Sequence, residues 1–223
     1  MSTVYYQDDL ITLYNGDCLA VPEWREADVL VTDPPYGMGY RSRAKSVANA
    51  TIVGDKSTEA RDAAIDAWGA VKPALVFGRW SITPPKGERQ RIIWSKLNTP
   101  GMGDCRIPWG PAHEDIHLLG QGWNVADTGH KRIGSVIATS GARGGAYGEE
   151  NTYGHPTPKP VALMESLITR CPPGVIADPF AGVGATLIAA RNLGRRAIGV
   201  ELDERYCQAI AMRLAQGTFE FGM

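Results

Sequence analysis

Apolar and polar positions change period several times along the chain, and each change marks an element. The run "ADVLVTD" is apolar without alternation and stops at Asp33, the pattern of a strand buried on both faces. "LITLYNG" reads as a shorter strand ending at Gly16 and Asp17, with a turn of helix in "CLAVPEW" after it. "PALVFG", "RIIWSK" and "EDIHLLG" are further strand candidates, each followed by a breaker. The pattern is cleanest near the C-terminus. There "GVIAD" reads as a strand, "PFAGVG" as a tight turn, "ATLIAARNLG" as a helix closed by Gly194, and "RAIGVELD" as another strand. Asp203 then caps a last helix, "ERYCQAIAMRLAQG", whose apolar positions recur at three- and four-residue spacing until Gly217. Strands joined by crossovers predict a parallel-rich sheet in an α/β fold. Residues 37–62, 98–112 and 122–158 are rich in Gly, Ser, Ala and Pro, lack a period, and read as long surface loops.

Composition narrows this picture. At 223 residues and 43% hydrophobic, the chain has enough material for one sizeable core, and a single domain over residues 1–223 is expected. No apolar stretch approaches the roughly 18 to 20 residues that span a bilayer. The start, "MSTVYYQDDL", lacks the basic and apolar segments of a secretory signal, so a soluble cytoplasmic protein is expected. Cys18, Cys105, Cys171 and Cys207 are scattered without CxxC spacing, which argues against a zinc site or a disulfide framework.

The net charge of −1 conceals an uneven distribution: residues 1–40 carry −6, residues 41–147 carry +6, and residues 148–223 carry −1. The basic middle includes Arg41, Arg43, Lys45, Arg79, Lys86, Arg89, Arg91, Lys96, Lys131, Arg132 and Arg143, enough to neutralise several phosphates if they share a face. Charge alone favours a solvated surface.

The unit over residues 174–201 carries the first chemistry. Gly182 and Gly184 let backbone pass close to a ligand, and the helix that follows offers free N–H groups. Glu201 ends the next strand 17 residues beyond Gly184, near the spacing at which an acid accepts both ribose hydroxyls of an adenosine cofactor. A dinucleotide fits less well. Leu187 stands where the third glycine of its fingerprint would be, and Asp178 would repel a pyrophosphate. A carboxylate there suits a cofactor with a cationic amino-acid end, such as S-adenosylmethionine.

Three motifs taken together, "DPPY" at 33–36, "HPTPKP" at 155–160 and "DPFAGVG" at 178–184, resemble the beta group of amino-methylating DNA methyltransferases. In that family the catalytic tetrapeptide precedes the cofactor motif, a circularly permuted order. The resemblance extends from "LYNGD" to "GVELDERY" and takes in "RIIWSK" and "HEDIHLLG". It implies a circularly permuted, seven-stranded, Rossmann-like S-adenosylmethionine-dependent methyltransferase fold. It further implies that Asp33, Pro34, Pro35 and Tyr36 are catalytic. Asp17 would lie beside the cofactor's adenine, Asp178, Pro179, Phe180, Gly182 and Gly184 would line the cofactor, Thr157 and Lys159 would sit near its methionine end, and Glu201 would hold its ribose. Pro158 departs from the family, where a Gln is frequent. His155 has no chemical step in the motif and reads as a loop residue.

The implied reaction is methylation of adenine N6 in double-stranded DNA. The N6 lone pair is delocalised into the ring and is a poor nucleophile. Acceptance of its two N–H groups by the Asp33 carboxylate and the Pro34 carbonyl would draw it towards tetrahedral geometry and stabilise the developing positive charge. The prolines restrict the turn, and Tyr36 would stack on a flipped base. The alternative is N4 of cytosine, whose family members more often open the tetrapeptide with Ser. A non-catalytic nucleic-acid-binding protein on the same scaffold is a third reading, disfavoured because each implied site position holds a competent residue. Target recognition is expected from a short segment at about 123–155, which with the loops at 37–62 and 98–112 would contact DNA, with a homodimer partner or helper subunit as ways to extend it. Trp68, Trp80 and Trp94 are expected in or beside the core, and of the tryptophans Trp109 and Trp123, in Gly- and Pro-rich surroundings, are the better candidates for nucleic-acid contact. Gly37 and Gly39 are expected to open a loop that moves to admit DNA.

Overall fold

The buried run around Val29 becomes the centre of a mixed sheet with helices on both faces. The computed structural model describes residues 3–39, 54–96, 105–139 and 158–216. In chain order the strands are β1 (Thr3–Gln7), β2 (Ile11–Asn15), β3 (Val29–Thr32), β4 (Ala74–Gly78), β5 (Gln90–Ser95), β6 (His113–Leu119), β7 (Val136–Ala138), β8 (Ile176–Asp178) and β9 (Ala197–Glu201). The helices are α1 (Glu59–Trp68), α2 (Val161–Ile168), α3 (Ala185–Asn192) and α4 (Glu204–Gln216). The strands form one nine-stranded sheet in the order β1-β2-β9-β8-β3-β4-β6-β5-β7.

The nine strands correct the expectation of seven. Both additions are edges, β1 antiparallel to β2 and β7 parallel to β5. β7 is a three-residue strand inside a stretch read as loop, too short to carry a period. From β2 through β9, β8 and β3 to β4 every pairing is parallel, whereas β6 runs antiparallel to β4 and β5.

Alternation along β3 divides the core. Val29 and Val31 pack with Leu75, Phe77, Ile116 and the buried faces of α2, α3 and α4, including Leu163, Leu187 and Ile210. Leu30 points to the other side with Val76, Ala177, Val200, Ala64 and Trp68 of α1, and Trp24 from a 3-10 turn at Glu23–Glu26. Trp24 and Trp68 stack with ring centroids 5.9 Å apart and planes within 8°. Every side chain of β3 is buried because both sheet faces are covered, which removes the polar alternation of a one-sided strand. α1 begins at the end of a stretch read as loop. α2, only eight residues long and mostly apolar, follows a proline-rich segment with no polar stripe to betray it.

The C-terminal elements match the sequence reading. The Asp203 carboxylate accepts the Arg205 N–H at 3.0 Å at the start of α4. α3 ends in a turn at Gly194 (φ +66°), with the Arg195 N–H donating to the Ala190 carbonyl at 2.8 Å. Among the described residues no helix is long and apolar enough to cross a membrane, and no group of three His, Cys, Asp or Glu is placed to hold a metal ion.

Candidate active site

Parallel pairing aligns the strand ends that carry the motifs. Leu30 pairs with Ala177, Asp178 with Gly199, and Asn15 with Glu201. Asp17, Asp33, Asp178 and Glu201 therefore all lie along the C-terminal edge of the parallel strands, where ligands of open α/β sheets bind. The Thr32 hydroxyl donates to Asp178 Oδ1 at 2.7 Å, joining the base of the Asp33 turn directly to the glycine turn after β8.

The glycine turn is organised from behind. Asp178 is only 2% exposed, and its Oδ1 also accepts the Phe180 N–H at 3.2 Å, so this carboxylate shapes the turn from inside. Burial pushes its pKa up to about 6, against the pull of the Thr186 and Thr32 hydroxyls and the Phe180 N–H. Gly182 and Gly184 both have positive φ, +53° and +83°. A Cβ on Gly184 would sit 2.9 Å from Ile210 Cγ1, so the close approach that requires glycine here is to α4 rather than to a ligand. Leu187, in place of the third fingerprint glycine, packs onto Gly199, where a Cβ would lie 2.6 Å from Leu187 Cδ1. Helix and strand approach closely, with the small residue on the strand.

Glu201 faces this turn. Its Oε2 accepts the Gly182 N–H and its Oε1 the Asp203 N–H, each at 2.8 Å. Burial raises its pKa to about 7, with those two N–H groups holding it back and Asp178 and Asp203 adding to the rise. Each carboxylate oxygen has two lone pairs, so each retains acceptor capacity after its backbone bond. The Asn15 amide, which sequence reasoning missed, donates to the Glu201 and Leu202 carbonyls at 3.1 and 3.2 Å and fixes the strand end. Asp17 is exposed just beyond β2, its Oδ1 accepting the Leu19 N–H at 2.9 Å.

The Asp33 turn has a different character. Pro34 and Pro35 are buried, and the Asp33 side chain is 22% exposed. The Tyr36 hydroxyl donates to Asp33 Oδ1 at 2.6 Å and lies 3.2 Å from Glu114 Oε2. Lys159 donates to Asp33 Oδ2 at 2.5 Å and lies 3.3 Å from the same Glu114 oxygen, and Lys96 pairs with Glu114 Oε1. The Lys159 ammonium also sits 5.1 Å from the Phe77 ring centroid and 5.6 Å from that of Tyr36. Burial pushes Glu114 upward, but Lys159 and Lys96 outweigh it and hold its pKa near 2. Burial would strip the Lys159 proton, yet Asp33 and Glu114 raise its pKa above the usual lysine value. Burial, then Asp33 and Glu114, raise Tyr36 well above a free phenol, so its hydroxyl stays a donor. Asp33 rises through burial and Glu114, with Lys159 opposing.

The structure thus brings Asp33, Tyr36 and Lys159 together, and Asp178, Gly182 and Glu201 together. Glu114 and Lys96 were missed as site residues. The visible sign was an acid on the face of β6 that otherwise carries the apolar Ile116 and Leu118. Thr157, His155 and Arg143 lie outside the described residues, as do residues 40–53 of the loop after the turn. The start of that loop is pinned, with the Gly37 and Met38 N–H groups donating to Asp55 Oδ1 at 2.7 and 3.2 Å. One tryptophan expectation is corrected. Trp80 is 58% exposed, two residues beyond the C-terminal end of β4. Trp123 packs against the core, with its indole N–H donating to the Leu119 carbonyl at 2.8 Å. Trp68 and Trp94 are buried, and Trp109 is exposed.

Comparison with known proteins gives a consistent grouping. Residues 112–213 match the N6/N4 DNA methylase family. A protein of Escherichia coli (strain K12) named YubD, a methylase by its name, is 32% identical over 218 residues, covering 90% of this chain and 88% of the relative. Among solved structures, the complex of M1.HpyAVI with SAM superposes with a TM-score of 0.63 at 21% identity, over 92% of this chain and 99% of that one. The PvuII DNA methyltransferase, described as cytosine-N4-specific, gives 0.67 at 15% identity, over 94% and 88%. These two likenesses concern the fold.

Proposed function

The chain belongs to the N6/N4 DNA methylase family, and from that premise we propose that it methylates the N6 amine of an adenine flipped out of double-stranded DNA, with S-adenosylmethionine as donor. The observation that carries the reading is the Thr32 to Asp178 hydrogen bond at 2.7 Å, which ties the amine-accepting turn to the cofactor turn.

The residues present fit this cofactor. Glu201 keeps one free acceptor site on each oxygen for two ribose hydroxyls, and the positive-φ turn at Gly182 presents backbone in front of it. Asp17 would lie by the adenine, Pro179 and Phe180 along the cofactor, and Thr157 with Lys159 towards the methionine end. Asp178 would supply negative potential there from behind the turn. When bound, S-adenosylmethionine supplies an electrophilic methyl group on a sulfonium.

The chain's own task is to make an exocyclic amine nucleophilic. Asp33 and the Pro34 carbonyl accept the two N–H groups, pull the nitrogen out of conjugation and stabilise the positive charge that forms on it. Pro34 and Pro35 fix that turn. The Tyr36 ring, anchored through its hydroxyl on Asp33 and Glu114, is the surface against which the flipped base rests. Residues 123–155 and Trp109 are proposed to contact DNA. Cytosine N4 is the second reading, since the same acceptors suit that amine and the fold is shared with an enzyme described as cytosine-N4-specific.

Expression in a methylation-deficient bacterium followed by nucleoside analysis of its DNA separates these readings, with Asp33→Ala as control. N6-methyladenine that disappears in the control is the expected result. N4-methylcytosine would establish the second reading, and neither base would contradict methylation.

A further inference from the structure

Glu114 is a half-buried charge in the Asp33 cluster to which amine methylation assigns no task. The state of Asp33 supplies one. Its Oδ1 is engaged by the Tyr36 hydroxyl at 2.6 Å and its Oδ2 by the Lys159 ammonium at 2.5 Å. While Lys159 stays there, its charge cancels the one that is to stabilise a cation forming on the target nitrogen. Lys159 cannot simply withdraw, because its side chain is only 6% exposed and a buried ammonium without a partner is strongly disfavoured.

Glu114 removes the conflict. Its Oε2 already lies 3.3 Å from the Lys159 nitrogen and 3.2 Å from the Tyr36 hydroxyl, while Lys96 occupies Oε1. The two donors that cover Asp33 therefore share one alternative acceptor, on the neighbouring oxygen to the one Lys96 uses. We propose that Glu114 is a positioning residue that takes Lys159 from Asp33 when the target base enters, so that the Asp33 carboxylate meets the amine with its charge uncompensated. The inference rests on the amine-methylation reading. It deepens that reading by giving the turn a closed state, with Lys159 on Asp33, and an open state, with Lys159 on Glu114.

The test is Glu114→Gln, which keeps size and an acceptor oxygen but loses the charge. Single-turnover methyl transfer to genomic DNA from a methylation-deficient bacterium is expected to slow by roughly tenfold or more at saturating S-adenosylmethionine. Cofactor affinity by calorimetry is expected to stay at the wild-type value, while the melting temperature falls because the Lys96 and Lys159 ammoniums lose a charged partner. Glu114→Asp, which restores the charge at shorter reach, is expected to be intermediate in rate, and it carries the test alone if the Gln variant does not fold. A wild-type rate in Glu114→Gln, a rate loss matched by lost cofactor affinity, or an Asp variant with no more activity than Asp33→Ala would overturn the proposal. Absence of methyl transfer by the wild-type enzyme would instead overturn the amine-methylation reading itself.

Discussion

The glycine turn after β8 and the proline turn after β3 lie on the same sheet edge, but they meet their polar demands in opposite ways. Around Glu201 and Asp178 the partners are backbone N–H groups and hydroxyls, and no cationic side chain among the described residues pairs with either acid. Their pKa values rise to about 7 and about 6. Around Asp33 the partners are side-chain cations and a phenol, and Glu114 is held near 2. A carboxylate oriented by neutral donors keeps open lone pairs and suits a standing site for a neutral polyol. A carboxylate covered by an ammonium is suited to being uncovered at one moment of a cycle. On the proposed reading, the first turn is a receptor built in advance and the second a device with two settings.

The sharpest way to break this contrast is Asp33→Asn, expected to slow methyl transfer by about 10²- to 10³-fold while leaving S-adenosylmethionine affinity unchanged by calorimetry. Loss of cofactor binding in that variant would merge the two turns into one site. The converse is Glu201→Ala, expected to weaken the cofactor roughly ten- to hundredfold through loss of two acceptors, read by the same calorimetry.

The neutral surroundings of Glu201 also make an expectation about pH. Because its pKa in the folded protein is raised, its contribution to stability is complete below the ordinary glutamate value of 4.5 and is lost as pH rises through about 7. Ribose hydroxyls favour the ionised form, so cofactor affinity is expected to move the other way, tightening about tenfold from pH 6 to pH 8. In Glu201→Gln most of that rise should vanish in a calorimetric series. The smallest effect belongs to the open edge beside the proline turn. There Arg79 contacts Met38 Sδ at 3.2 Å and Trp80 is exposed. Trp80→Ala is expected to weaken DNA binding by about fivefold in a gel-shift or anisotropy titration, without altering the cofactor constant.

The same contrast explains what the chain disclosed before its structure. The receptor turn is local: Asp178, Gly182, Gly184 and Glu201 fall within one strand, turn, helix and strand, so spacing alone placed them together. The device turn is assembled from residues 33, 36, 96, 114 and 159, of which only those of the tetrapeptide and Lys159 fall in sequence motifs. Lys159 was visible as part of a motif, but its pairing with Asp33, 126 positions away in the chain, was not, because no spacing rule reports which strand end the segment before α2 reaches. Packing also calls for glycine at 184, against Ile210, and at 199, against Leu187, and spacing along the sequence reports neither contact. The sheet was legible wherever strands were buried on both faces. It was illegible at its edges, where β1 and β7 are mostly exposed and carry little apolar signal.

The separation of the two turns is tested most directly by the single-turnover rate of Glu201→Ala at saturating S-adenosylmethionine, beside wild type and Asp33→Asn on the same DNA. A rate within about threefold of wild type is expected once the cofactor site is filled, since the lost interaction is one of binding. A rate as low as that of Asp33→Asn would contradict it and place both acids in one catalytic unit.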